Sequence, residues 1–233
     1  MIRKGNESRL FETLRLSDRA HANSGMIRRP SNTRPAIWRV EEDGIRAVVK
    51  DFSVNRFLFR NLVGRFLIWR EAKAYRKLAG VKGVPTLYRV MGGMALVFEE
   101  IPGRSLEDLE KEMMLPDSFF GELKELVARC HRRGVAHCDL KRAPNTLWGN
   151  DGKPYIVDWA ASISRSEFTV PPLNLIYRRF LLDDQLAVIK LKLRHRPETV
   201  SLEEKARYAY RSTGEKLIRS IRDKLRDLLQ RSV

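Results

Sequence analysis

The amino-acid sequence predicts an α+β fold in which a small antiparallel sheet with one helix precedes a mainly helical region. Strand-like segments joined by tight turns occupy residues 37–101. One stretch of helical periodicity, 54–78, lies among them, and beyond residue 101 most of the chain has a helical pattern. We therefore expect an N-terminal arm at 1–36, a sheet-containing unit at 37–101 and a mainly helical unit at 102–233.

Two hairpins with a helix between them are expected in the sheet-containing unit. Residues 37–52 alternate as two strands around Asp43-Gly44, a dipeptide that favours a two-residue turn. Residues 54–78 place apolar side chains three and four positions apart, as on one face of a helix. The second hairpin, 84–101, turns at a pair of glycines.

The helical unit is expected to open with a helix that follows Pro116 and ends at Gly134. PYIVDW, 154–159, is then expected to form a short strand before further helices. Ser201 and Glu204 have the spacing of a capping box, which marks the start of a helix. A last apolar stripe, expected to pack in the core, consists of Leu217, Ile218, Ile221, Leu225 and Leu228.

Charge and composition restrict the classes of partner. The 233-residue chain has 45 Lys and Arg against 29 Asp and Glu, and this net charge of +16 favours nucleic acid, phosphorylated glycans or acidic lipid headgroups. The sequence contains no signal-peptide pattern and no run of about 18 apolar residues, so we expect a cytoplasmic protein, with contact at the inner membrane face as an option. Cys130 and Cys138 lack a surrounding Cys/His pattern, which argues against a disulfide framework or structural zinc.

The stretch VAHCDLKRAPNTLW, 135–148, concentrates polar chemistry between two apolar flanks. It contains His137, Asp139, Lys141 and Asn145. Charged residues beside a proline are also typical of an ordinary solvated turn. The choice between a turn and a reactive loop depends on whether the rest of the chain supplies complementary groups.

Three further polar residues complement this loop. Lys50 falls on a predicted strand, Glu71 on the helix that follows, and Asp158 at the end of PYIVDW. With the H-x-D-L loop and its asparagine, they resemble the signature of the protein-kinase-like phosphotransferases. The resemblance runs from about residue 37 to residue 159. It implies a compact bilobal fold that uses ATP and Mg²⁺.

Asp139 and Lys141 are the catalytic candidates under this resemblance. Asp139 would accept or orient the proton of the acceptor hydroxyl, and Lys141 would stabilise the phosphoryl group in transfer. Lys50 would hold the α- and β-phosphates of ATP, and Glu71 would pair with Lys50 and orient it.

Asn145 and Asp158 are the candidate Mg²⁺ ligands, because that ion prefers hard oxygen donors. Glu99 and Ile101 match the segment between the two lobes, where backbone groups of such kinases pair with the adenine edge. His137 is interpreted as a hydrogen-bonding residue that braces the loop.

The sequence departs from the family pattern in three places. Asn145 stands six residues after Asp139 instead of five. Trp159 follows the metal-binding aspartate where the family has Phe. No G-x-G-x-x-G precedes the first hairpin, so Ser24 and Gly25 are the candidates for a degenerate phosphate-binding loop. This last departure keeps open a pseudokinase that serves as a scaffold.

The expected acceptor is a hydroxyl of an anionic glycolipid. VVKDF, WREAKAYRKLAGVKGVP and IVDW resemble the bacterial lipopolysaccharide-core (Kdo/heptose) kinases and their RIO-like relatives. A RIO-like protein serine/threonine kinase and a nucleic-acid-binding protein are the alternatives. In RFLFRNLVGRFLIWR, 56–70, arginines recur among large apolar residues, which is typical of a membrane-interface helix. Packing of the same apolar residues against the sheet is the competing explanation.

Overall fold

The structure is a computed structural model that describes residues 10–21, 25–110 and 112–210. The apolar stripe predicted at 217–228 and the candidate Ser24 lie outside the described residues.

A five-stranded antiparallel sheet forms the first part of a mixed α+β fold. Its strands are β1 (Met26–Arg28), β2 (Ala36–Glu42), β3 (Ile45–Asp51), β4 (Leu87–Met91) and β5 (Ala95–Glu99). The spatial order is β1-β2-β3-β5-β4. Both predicted hairpins are confirmed, and the turn between β2 and β3 has positive φ angles at Asp43 (52°) and Gly44 (74°), as a two-residue hairpin turn requires.

Part of the predicted N-terminal arm, 1–36, contributes to this sheet. β1 lies within the arm and pairs antiparallel with β2. Leu10 and Phe11 are buried in the same apolar cluster as Trp38, on one face of the sheet. A strand of three residues is too short to show a period-2 pattern, so the sequence contained no signal for β1.

One long helical segment covers the other part of the sheet, in agreement with the helix predicted at 54–78. It consists of α1 (Phe57–Phe59), a π-helical turn (Arg60–Gly64) and α2 (Arg65–Lys77). Gly64 lies against the sheet, and a Cβ at this position would come within 3.0 Å of the Cβ of Phe52. The buried side chains at this contact are Phe52, Ile68, Ala72 and Leu96.

The second part of the chain is mainly helical, with short strands. Its helices are α3 (Leu106–Leu109), α4 (Asp117–Arg132), α5 (Leu173–His195) and α6 (Leu202–Ala209). Its strands are β6 (Gly103–Ser105), β7 (Val135–Ala136), β8 (Thr146–Gly149), β9 (Pro154–Ile156) and β10 (Ile163–Ser164). The order β6-β8-β9 forms one antiparallel sheet, and β7 pairs with β10. The capping box of Ser201 and Glu204 is confirmed at the start of α6.

The apolar face of α4 forms the centre of the largest core cluster. Phe119, Leu123 and Leu126 pack there with Trp159 and Leu191. This cluster lies directly beneath the loop that follows β7, so the polar residues of that loop rest on a close-packed base. Among the described residues, no helix is both long and apolar enough to cross a membrane.

Candidate functional site

The Lys50 side chain joins three elements of the fold. Lys50 lies on the central strand β3, opposite Ile37 on one side and Leu96 on the other. Its Nζ donates to Glu71 Oε2 at 2.7 Å and to Asp158 Oδ1 at 2.7 Å. Residues that stand 21 and 108 positions away in the sequence therefore meet at one ammonium group.

Burial and charge act in opposite directions on these three groups. Burial alone would lower the pKa of Lys50, but the negative charges of Glu71 and Asp158 outweigh it and raise that pKa. Burial raises the pKa of Glu71, whose side chain is 1% exposed. Burial also acts to raise the pKa of Asp158, but Lys50 prevails and lowers it. Lys50 is therefore protonated, and Asp158, whose pKa is lowered, ionises more readily than Glu71, whose pKa is raised.

Asp139 and Asn145 are linked within the loop between β7 and β8. Asn145 Nδ2 donates to the Asp139 carbonyl at 3.0 Å and approaches Asp139 Oδ2 at 3.5 Å. Asn145 ends a 3₁₀ turn, Ala143–Asn145, which holds it beside Asp139. Arg142 Nη1 lies 3.5 Å from Asp139 Oδ2. Lys141 is exposed and forms no ion pair with Asp139 or Asp158 in the described part of the chain.

His137 braces this loop through both ring nitrogens, as interpreted from the sequence. Nδ1 accepts from the Asp139 N–H at 3.2 Å, so Nε2 carries the hydrogen that it shares with the Val157 carbonyl at 3.0 Å. The ring also meets Trp159 edge to face at 4.7 Å. Trp159 is fully buried and donates its indole N–H to the Ile156 carbonyl at 3.2 Å.

Asp184 on α5 anchors the same loop, and the sequence did not predict it. Its carboxylate accepts the His137 N–H at 2.7 Å and the Cys138 N–H at 2.9 Å. His131 Nε2 lies 3.0 Å from the same carboxylate. Cys138 itself has a left-handed conformation, with φ 67°. A buried charge that bonds to the backbone in this way fixes the position of Asp139.

The candidate phosphate-binding region around Gly25 leads into β1 and the β1–β2 connection, 29–35. Gly25 precedes β1, where a Cβ would lie 3.1 Å from the Arg39 carbonyl oxygen, so strand pairing accounts for this glycine. The connection is fastened by buried Asn55, whose Nδ2 donates to the carbonyls of Ser31 at 2.6 Å and Arg34 at 3.1 Å.

Arg28, at the end of β1, interacts electrostatically with Asp158 and with two other arginines. Burial lowers its pKa, while attraction to Asp158 raises it in part and repulsion from Arg34 and Arg142 lowers it further. Arg28 therefore acts on Asp158, and Arg34 and Arg142 are near enough to Arg28 to repel it. This arrangement favours an anionic ligand at the site.

The two residues expected at the adenine edge lie where the sheet meets the helical region. Glu99 ends β5, and its N–H already donates to the Thr86 carbonyl at 2.9 Å. Only the Glu99 carbonyl is therefore a candidate for a ligand contact. Ile101 lies in the connection to β6 and is partly buried. Glu99 also lines a separate cleft of about 1360 Å³, and Lys50, Glu71 and Asp158 do not line it.

Asn145 and Asp158 supply oxygen atoms of the kind that a hard cation binds. The nitrogen of the Asn145 amide is used within the loop, so Oδ1 is the atom for a cation. Asp158 uses Oδ1 for Lys50, and its side chain is 42% exposed. No cluster of three or more His, Cys, Asp or Glu with metal-site geometry occurs within 10–21, 25–110 and 112–210. Two protein oxygens nevertheless suit Mg²⁺, which usually keeps water and phosphate ligands.

Comparison with protein-family models and with curated proteins finds no match for this chain. The assignment of a function therefore rests on the geometry of the Lys50 and Asp139 groups and on the chemistry that this geometry permits.

Proposed function

We propose that this chain is an ATP-dependent phosphotransferase with a bilobal, protein-kinase-like fold and a hydroxyl group as its acceptor. The observation that carries the proposal is the position of the Lys50 ammonium, 2.7 Å from both Glu71 and Asp158. One carboxylate would satisfy a purely structural lysine. The second, Asp158, has a side chain that is 42% exposed and uses only Oδ1 for Lys50, so a bound divalent cation would contact its other oxygen.

The transfer forms a bond between the acceptor oxygen and the γ-phosphorus of ATP. It breaks the bond from that phosphorus to the β–γ bridging oxygen, so that ADP leaves. Asp139 takes up the proton of the acceptor, and Lys50 and Lys141 offset the charge of the phosphate oxygens. Mg²⁺ held by Asn145 and Asp158 would neutralise further phosphate charge.

The proposed acceptor is a hydroxyl on a lipopolysaccharide-core-type sugar or a related anionic glycolipid. The excess of Arg and Lys over the whole chain favours an acceptor that already carries negative charge. Arg28, whose charge acts on Asp158, and Arg142, 3.5 Å from Asp139, supply positive charge at the site itself. The backbone carbonyl of Glu99 and the backbone of Ile101 would meet the adenine edge.

A thermal-shift titration with Mg²⁺ and ATP tests nucleotide binding first. A ligand at about 100 times its Kd raises the unfolding free energy of the protein by about 2.7 kcal/mol, which shifts the melting temperature by several degrees. We expect this shift in the wild type and in Lys153→Met, an exposed control. Lys50→Met and Asp158→Asn should abolish it. An unchanged melting temperature in the wild type at millimolar ATP would favour the pseudokinase scaffold.

Transfer of labelled phosphate then identifies the acceptor. Label from γ-labelled ATP should appear on a lipid-linked, anionic sugar, and Asp139→Asn should abolish this label while the ATP-dependent thermal shift remains. Label on protein serine alone would replace the glycolipid with the acceptor of a RIO-like kinase.

A further inference from the structure

The outer face of residues 57–69 is an exposed apolar surface. Its members, which we call the 57–69 surface, are each between 42% and 71% exposed: Phe57, Leu58, Leu62, Val63, Phe66 and Trp69. Positions 58, 62, 66 and 69 recur at spacings of four, four and three, so their side chains follow one side of the helical segment. Large exposed apolar groups in one contiguous patch mark an interaction site more often than scattered ones do.

Cations accompany the aromatic rings of this surface. The cation-to-centroid distances are 5.4 Å for Arg60 over Phe57, 5.6 Å for Arg70 over Phe66 and 5.2 Å for Lys73 over Trp69. The sequence 52–70 contains four arginines and no acidic residue. Glu167, from outside this segment, pairs with Lys73 at 2.5 Å and lies 3.8 Å from Arg70, so the positive charge beside the apolar side chains comes mainly from Arg56, Arg60 and Arg65.

We propose that the 57–69 surface binds the interface of an anionic lipid bilayer. Aromatic rings prefer the headgroup boundary, and arginines beside them can extend to lipid phosphates while the leucines enter the acyl region. A second copy of the chain fits less well, because a symmetric contact would bring Arg56, Arg60 and Arg65 of both copies together, while Glu167 at the edge of this surface already pairs with Lys73 and lies near Arg70. Acidic headgroups supply the missing negative charge.

This inference does not depend on phosphotransfer. The 57–69 surface contains none of the residues in the candidate site, and Ile68 and Glu71 lie on the buried side of the same segment. Vesicle binding is measured without nucleotide, so its failure leaves the proposed kinase activity standing. A failure of ATP binding likewise leaves this surface to be tested.

The test is partition of the full chain onto vesicles of phosphatidylglycerol and phosphatidylethanolamine, compared with vesicles of phosphatidylcholine alone. The variant is Leu58→Gln with Leu62→Gln and Phe66→Gln, since glutamine retains helix propensity at these exposed positions. We expect binding to the anionic vesicles to weaken on the order of a hundredfold. A matched control replaces Met114, Leu202 and Tyr210, which are 63%, 85% and 79% exposed, by glutamine and should bind as the wild type does.

Tryptophan fluorescence locates the contact. Of the four tryptophans, Trp38 and Trp159 are fully buried and Trp148 is partly buried, so Trp69 should dominate the response to lipid. Anionic vesicles should shift its emission to the blue, brominated acyl chains should quench it, and Trp69→Phe should remove both effects. The proposal is overturned if the wild type does not bind anionic vesicles, or if the triple variant binds them as well as the wild type does. It is also overturned if the wild type is a dimer that the triple variant converts to a monomer without a change in vesicle binding.

Discussion

Replacement of Asp184 by asparagine should detach the loop that carries Asp139. The Asp184 side chain is 2% exposed and accepts the backbone N–H groups of His137 at 2.7 Å and Cys138 at 2.9 Å, one on each carboxylate oxygen. Asparagine has nearly the same shape, so the substitution changes hydrogen bonding without opening a cavity. It keeps one acceptor oxygen and presents an NH₂ group to the other loop amide.

The magnitude follows from these two changes. One buried N–H loses its acceptor, which costs about 1–3 kcal/mol. The remaining bond passes from a charged to a neutral acceptor and loses about 1 kcal/mol more. We therefore expect the free energy of unfolding to fall by about 2–4 kcal/mol. Phosphoryl transfer should fall with it, because Asp139 loses its fixed position, whereas Lys50 keeps both of its contacts.

Urea unfolding and amide hydrogen exchange measure this effect. The amide protons of His137 and Cys138 should exchange much faster in Asp184→Asn than in the wild type. Asp183→Asn is the control on the same helix, since Asp183 is 40% exposed and pairs with Arg179 at 2.8 Å. A half-exposed ion pair contributes at most about 1 kcal/mol. Equal stabilities of the two variants, or unchanged exchange at the two loop amides, would refute the anchoring role of Asp184.

Three further substitutions or titrations test other parts of the structure. Burial raises the pKa of Cys138 to about 12. Its alkylation at pH 8, followed by peptide mapping, should therefore be about a thousandfold slower than alkylation of a free cysteine, and the rate should increase with pH. A rate within tenfold of that of a free cysteine would contradict this. Gly83→Ala should lower the unfolding free energy by about 2–4 kcal/mol in urea, because its φ is 95° and a Cβ would lie 2.9 Å from the Pro154 carbonyl oxygen and 2.6 Å from Leu126 Cδ2. Gly80→Ala, where φ is 77° but no atom lies within 4 Å, should cost about 1 kcal/mol. Equal losses in the two variants would refute the steric argument. Burial opposes ionisation of Asp158, but the ion pair with Lys50 prevails and lowers the pKa of Asp158 in the folded protein. The stability that this ion pair contributes is therefore present above the unfolded pKa of about 3.8 and is lost as pH falls through the folded pKa. The stability difference between the wild type and Asp158→Asn should accordingly shrink with acid, and a pH-independent difference would contradict the ion pair.

The Lys50 constellation could be predicted because its members follow local patterns. Lys50 is on a strand and Glu71 is on a helix in the structure, as the hairpin and helix periodicities predicted. Asp158 follows a strand whose apolar run is evident in the sequence. The pairing of Lys50 with Glu71 was expected from the resemblance, and the structure adds that Asp158 meets the same Nζ atom. Their roles in phosphate and metal binding stay predictions.

Asp184 and Asn55 could not be predicted, because their partners are backbone groups. Every residue except proline has both an N–H and a carbonyl, so the backbone partner of a side chain cannot be recognised from residue types in the sequence. Asp184 stands 47 residues beyond His137, and Asn55 stands 24 beyond Ser31. Such bonds become visible only when the topology brings the segments together.

The segment 56–70 has apolar residues on all sides of the helix, so the periodicity of its sequence does not predict which side is buried. The sequence offered packing against the sheet and a membrane interface as alternatives, and the structure divides the residues between two faces. Ile68 packs on Phe52, whereas Leu62 and Phe66 are exposed. Periodicity identifies a helix but cannot say which side is covered when both are apolar. Because Glu71 continues the buried face, the exposed side chains can be changed without contact to Lys50, and the membrane and nucleotide proposals can be tested separately in one molecule.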